Sequence, residues 1–124
     1  MVAEELAIDF CYTEPTAPRS SETLFPVQYR LTSSIAKEIK GRHVAIVNDV
    51  INAGSAVRGS FEELSTAGAT VAVISSLLVL GDTAETFSRA NGIPLEHLAR
   101  LPNEIWHPDV CPMCAKKVPL TISD

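Results

Sequence analysis

Apolar positions along the chain fall into alternating runs and unbroken runs. Leu6, Ile8, Phe10 and Tyr12 alternate with Ala7, Asp9 and Cys11, and this period of two predicts a strand over 6–12. Phe25, Val27, Tyr29 and Leu31 alternate with Pro26, Gln28 and Arg30 and predict a second strand, with Pro26 marking an edge. The Pro-, Ser- and Thr-rich stretch 13–24 between them predicts a mobile loop. Ile35 and Ile39, four apart, fit one or two helical turns, or an extended segment that turns at Gly41. Val44–Val47 and Thr70–Leu80 are near-continuous apolar runs. Such runs suit strands buried on both faces inside a parallel sheet. Each is followed by a helical period: Val57, Phe61 and Leu64 after the first, Phe87 and Ala90 after the second. Ala67-Gly68-Ala69 and Gly92 supply the stops, and Asp82 with Glu85 fits a capping pattern. Leu95–Leu101, between Pro94 and Pro102, reads as an edge strand or a single turn. Residues 102–124 carry neither period and form a tail anchored by Trp106. Two successive strand–helix units joined by a right-handed crossover predict one α/β domain over 1–124, with a mostly parallel sheet flanked by helices.

The chemistry concentrates where the first unbroken run ends. Asn48 and Asp49 stand at its carboxyl end, where open α/β sheets place their ligands. Val50 and Ile51 follow, then Asn52, Ala53, Gly54, Ser55 and Ala56, small enough for a tight turn, with Ser55 or Gly54 as the helix cap. A strand, a polar pair, a small-residue loop and a helix make an anion site: free backbone N–H groups beside a carboxylate. The amides suit a phosphate, and the carboxylate accepts from sugar hydroxyls. A phosphate next to a diol describes a phosphorylated ribose.

The same stretch resembles the phosphoribosyl-diphosphate motif of type I phosphoribosyltransferases. That motif has four apolar residues, two acidic ones, two apolar ones and a small Thr/Gly/Ser-rich loop. Val44–Val47, Asn48–Asp49, Val50–Ile51 and Asn52–Ala56 fill these places in order, with Asn48 replacing the first acid. The Asn-Ala-Gly-Ser loop and the Cys-Pro-Met-Cys tail are most similar to the orotate branch. The resemblance implies a three-layer core and transfer of phosphoribosyl from phosphoribosyl diphosphate to a pyrimidine base such as orotate. Asn48 to Ala56 would bind the substrate, and Mg²⁺ would arrive through the diphosphate. Arg19 in the mobile loop would act on the diphosphate, often across a homodimer interface. Purine-specific relatives carry a carboxylate at the place of Asn52, so Asn there implies a base that is already anionic. The family's N-terminal strand, diphosphate loop and base-gripping residues find no room before Leu6. The alternative is therefore a catalytically silent phosphoribosyl-phosphate-binding or regulatory module.

Composition narrows the classes. The chain has 124 residues, 46% hydrophobic and 20% charged, enough for one globular core. A net charge of −5 without a Lys/Arg stripe argues against a nucleic-acid groove. The run through Leu80 is too short to span a bilayer. Three cysteines with no basic and apolar leader suggest reduced thiols in a cytoplasm. Cys111 and Cys114 read as a turn of packed thiols or a zinc half-site completed by a second subunit. A redox pair opening a βαβ helix is disfavoured by their place in a tail. His43 and His97 read as solvated or structural, and no resident metal is expected.

Overall fold

The computed structural model describes residues 2–16 and 28–119. Its elements are α1 (Val2–Glu5), β1 (Glu14–Thr16), β2 (Gln28–Arg30), α2 (Ser33–Glu38), β3 (His43–Ile51), α3 (Ser55–Thr66), β4 (Thr70–Leu80), α4 (Thr83–Asn91), β5 (Leu95–Leu101), a 3₁₀ turn at Pro108–Val110 and α5 (Pro112–Ala115). Strands β3, β4 and β5 form a parallel sheet in that order, while β1 and β2 pair antiparallel on their own. This is the α/β fold expected from the sequence, a parallel sheet flanked by helices. Leu95–Leu101 takes the strand alternative.

Right-handed crossovers that advance in one direction carry α3 and α4 to the same side of the sheet. There Phe61 and Phe87 meet edge to face, with centroids 5.4 Å apart. Ile46, Ile51, Ile74 and Val79 from the strands pack with Val57 and Leu64 of α3, Ala84 of α4, and Ile39 and Ile93. The register aligns Ile46 with Ile74 and Ile74 with Leu95 on this face. The opposite face differs from the sequence expectation. Val47, Leu77 and Leu98 are 58%, 61% and 83% exposed. Val44–Val47 is therefore not buried on both sides; among the described residues, helices lie against one side of its neighbours.

A second departure from simple alternation bears on the site. Ile46 and Ile51 both enter the core although they are five residues apart, and so do Ile74 and Val79. An odd separation requires the side-to-side alternation to slip once in each strand. The register stays constant through the slip, from Val47 opposite Ser75 to Ile51 opposite Val79, so the strands turn together. The slip falls at Asn48–Val50 and Ser76–Leu78.

The N-terminal strand expected over 6–12 does not form. Leu6, Ala7 and Ile8 donate instead to the carbonyls of Val2, Glu4 and Ala3, which ties the backbone into a local turn. Among the described residues no ladder partner lies alongside residues 8–13. Leu6, Ile8, Phe10 and Tyr12 are all more than half exposed, while Cys11 packs toward the core and Asp9 pairs with Arg42 at 2.8 Å. Alternation alone set the two faces, and among the described residues no strand pairs with this segment. In the described part of the expected loop, 13–16, Glu14–Thr16 pairs with Gln28–Arg30; residues 17–24, Arg19 included, lie outside the described residues, as do Phe25–Val27. This small hairpin rests on α3. The ring of Tyr29 lies where a Cβ on Gly59 would come within 2.6 Å, so a glycine in mid-helix allows the contact.

Helix boundaries follow local chemistry. Thr32 caps α2 through its hydroxyl, which accepts from the Ile35 amide. The Asp82 side chain makes no cap bond on α4; Glu85, expected to complete that cap, holds Arg89 and Arg100 instead. Two cationic partners outcompete a backbone amide for its carboxylate.

Candidate functional site

At the slip in β3, pairing with β4 continues on both sides of Asp49 while side chains of β3 bond its own amides. Asn48 Oδ1 accepts from the Asp49 N–H at 3.0 Å, and Asp49 Oδ1 accepts from the Val50 N–H at 2.7 Å. The Ser76 hydroxyl, 4% exposed, lies 3.0 Å from the Asp49 carbonyl and 2.9 Å from the Leu78 carbonyl, one donor shared between two acceptors. Asp49 is thus exposed but fixed at the backbone. Its Oδ2 accepts from no group among the described residues. Val50 is 41% exposed beside it. Ile51 is 1% exposed, so it fastens the end of the strand into the core rather than facing a ligand.

The loop that follows holds the main feature of the site. Among the described residues, the backbone N–H groups of Asn52, Ala53, Gly54, Ser55, Ala56 and Val57 donate to nothing; the first bonded amide of α3 is Arg58, to the Gly54 carbonyl at 2.9 Å. Gly54 has φ +76°, a conformation that L side chains rarely adopt, and no side chain caps the helix after it. The result is the free amino end of a twelve-residue helix with the preceding loop amides added to it. The Ser55 hydroxyl has no partner among the described residues either.

Three further side chains join this loop. The guanidinium of Arg58 comes within 3.4 Å of where a Gly54 Cβ would stand, and the Thr83 methyl within 3.8 Å. Among the described residues Arg58 makes no ion pair, so its charge adds to that of the helix end. Asn103 donates from Nδ2 to Asn52 Oδ1 at 2.8 Å and bridges the loop to the segment after β5. Gly81 allows that approach: with φ +69°, a Cβ there would stand 2.6 Å from the Asn103 carbonyl. Arg58 was legible, since it lies one turn beyond Ser55 on the same helix face. Thr83 and Asn103 carried no local signal, because only the fold brings them to Gly54 and Asn52.

Open space flanks the loop on both sides. A cavity of about 400 Å³ runs from Phe10–Thr13 along β3 to Asn48 and Ala56. Another, of about 730 Å³, lies at the ends of β4 and β5 between Gly81–Thr83 and Asn103–Trp106, so Trp106 rests over the Gly81 turn. The expected site residues Asn48 to Ala56 are therefore contiguous at the carboxyl ends of the strands. His43 begins β3 at the opposite end, and His97 lines a separate small cavity with Glu85 and Arg100. The Cys11 thiol is pushed up by burial, with Arg42 opposing.

Comparison with known proteins agrees with this geometry. No family model matches the chain. The orotate phosphoribosyltransferase of Thermotoga maritima is 32% identical over 79 residues, which cover 64% of this chain and 40% of that protein. The chain thus spans well under half the length of the curated relatives it matches. The adenine phosphoribosyltransferase of Leishmania donovani superposes with a TM-score of 0.57 at 22% identity, over 80% of this chain and 49% of the other. That of Thermoanaerobacter pseudethanolicus gives 0.56 at 16%, over 81% and 60%. These two likenesses establish the fold. With the strand, polar pair, free-amide loop and helix in the expected order, the chain is similar in sequence to orotate phosphoribosyltransferases and shares its fold with adenine phosphoribosyltransferases.

Proposed function

We propose that this chain binds phosphoribosyl diphosphate and serves in transfer of the phosphoribosyl group to an anionic pyrimidine base such as orotate. The observation that carries the reading is the run of six unpartnered amides, Asn52 to Val57, next to the free oxygen of Asp49. The amides, the Ser55 hydroxyl and Arg58 would hold the 5′-phosphate, and Asp49 would accept from the ribose hydroxyls. Bond breaking at C1 gives a sugar with oxocarbenium character, so the protein's work is to position the reactants and to stabilise charge. Mg²⁺, carried by the diphosphate, would supply charge neutralisation of the leaving group. Asn52 is no base, and its carbonyl is occupied by Asn103, which leaves its NH₂ as a donor. That favours a nucleophile that needs no deprotonation. Arg19, in the loop 13–24, is proposed as the cation over the diphosphate, within a cytoplasmic homodimer.

The test is titration calorimetry with ribose 5-phosphate and with phosphoribosyl diphosphate plus Mg²⁺, followed by a diphosphate-release assay with orotate. Binding is expected, and Asp49→Ala should weaken it about tenfold or more, roughly 1.4 kcal/mol. Release of diphosphate on adding orotate supports transfer. Binding without release supports the second reading, a binding module without turnover. No binding of either ligand overturns both.

A further inference from the structure

The tail carries a pair of thiols that the phosphoribosyl site does not use. Residues Cys111 to Val118 fold into a self-contained turn. Ala115 donates to the Cys111 carbonyl at 3.0 Å, Lys117 to that of Cys114 at 3.0 Å and Val118 to that of Met113 at 3.0 Å. Pro112 opens α5 at its first position, where a missing N–H costs nothing. In such a turn residues three apart share a face, so Cys111, the residue that precedes α5, and Cys114, within it, stand on the same side of the turn. Cys114 is exposed, Cys111 partly so, and the tail residues around them are exposed, so neither sulfur is shielded from a small reagent. The two cysteines differ in character. The Cys111 thiol is lowered, chiefly by the backbone amide of Cys114, while the Cys114 thiol is raised by its contact with Cys111. Among the described residues no third His, Cys, Asp or Glu joins the pair, and the nearby His107 is held by Asp109 at 3.0 Å. What the described residues build here is a dithiol.

We propose that Cys111 and Cys114 form a reversible intramolecular disulfide by exchange with a low-molecular-weight disulfide, for which oxidised glutathione is the probe. The Cys111 thiolate attacks one glutathione sulfur; a Cys111–glutathione bond forms and the glutathione S–S bond breaks, releasing one glutathione thiolate. Cys114 gives up its proton to solvent and attacks the Cys111 sulfur, releasing the second glutathione thiolate. The two protein thiols are oxidised to one disulfide, and one glutathione disulfide is reduced to two thiols. Short separation and shared contact make the second step intramolecular, so the mixed disulfide does not accumulate. Cys11 serves as an internal reference, since its burial disfavours the thiolate that attacks.

The experiment equilibrates the full chain in glutathione buffers of graded ratio, quenches with an alkylating agent, and maps the products by mass spectrometry. The expected product has lost two hydrogens, links Cys111 to Cys114, leaves Cys11 alkylated, and is restored by dithiothreitol. C114S should accumulate glutathione on Cys111, and C111S should react about tenfold more slowly at Cys114 than the unaltered chain does at Cys111. Both variants lie outside the core, and circular dichroism is the check that they fold. The proposal is overturned if glutathione persists on Cys111 in the unaltered chain, if the disulfides formed involve Cys11 or a second chain, or if C111S and the unaltered chain react equally fast.

Discussion

The two faces of the central sheet carry similar residues and have opposite fates. On one face Ile46, Ile74 and Val79 are at most 8% exposed under α3 and α4. On the other, Val47, Leu77 and Leu98 are more than half exposed. Hydrophobicity does not distinguish the sets; the path of the chain does. Both connections advance from β3 to β4 to β5, and a right-handed crossover in a constant direction always lays its helix on the same side. Burial in this sheet is therefore a property of connection order, and composition only permits it.

The sharpest way to break the comparison is to truncate one residue on each face. Ile74→Ala removes a side chain that is 1% exposed at the centre of the core cluster, and it should lower stability by about 2–5 kcal/mol. Leu77→Ala, on the neighbouring face and three residues on, should change it by no more than about 0.5 kcal/mol. Urea unfolding at a common temperature reads both. If the two losses are equal, the second face is not free in solution and the contrast fails.

The slip between the faces offers a smaller effect with a more specific readout. Ser76→Ala removes the hydroxyl that reaches the carbonyls of Asp49 and Leu78, leaving a buried acceptor short of a donor, at about 1–2 kcal/mol. Because that bond fixes the backbone of Asp49, Ser76→Ala should also weaken binding of ribose 5-phosphate about threefold to tenfold, although Ser76 touches no ligand in the proposed arrangement. Ser76→Thr, which keeps the hydroxyl, should recover most of the binding. A variant that loses stability and binds normally would make Ser76 purely structural.

This slip also marks the limit of what could be read in advance. The central unit was legible because its parts are local: an apolar run predicts a strand, small residues predict a turn, and Val57, Phe61 and Leu64 predict the helix. The order of these parts placed a phosphate-sized nest of amides at the helix start before any coordinates. Features that depend on a distant neighbour were not legible. Leu6–Tyr12 has the alternation of a strand and, among the described residues, no partner to pair with. Ser76 stands in a near-continuous apolar run with no local sign of a role, yet it holds the carboxyl end of β3 from the next strand. Asn103 meets Asn52 across 51 residues of sequence. The tail showed no periodicity because its turns are a few residues long, too short for a period to repeat.

The smallest expected effect tests the bare face on its own terms. Leu98 is 83% exposed on β5, the edge strand of the sheet. Exchange for lysine removes little burial, since most of the side chain already meets water, and the long lysine stem can lie over the same apolar surface with its charge in solvent. Lysine on an edge strand also disfavours pairing with another strand. Leu98→Lys should therefore leave the unfolding free energy within about 0.5 kcal/mol of the parent and raise the concentration at which the protein stays in solution. The contrasting variant is Leu95→Lys, on the same strand but packed against the core cluster, which forces a charge beneath α4 and should destabilise severely. The two changes are chemically identical and three residues apart, so any difference between them measures the side of the sheet and nothing else.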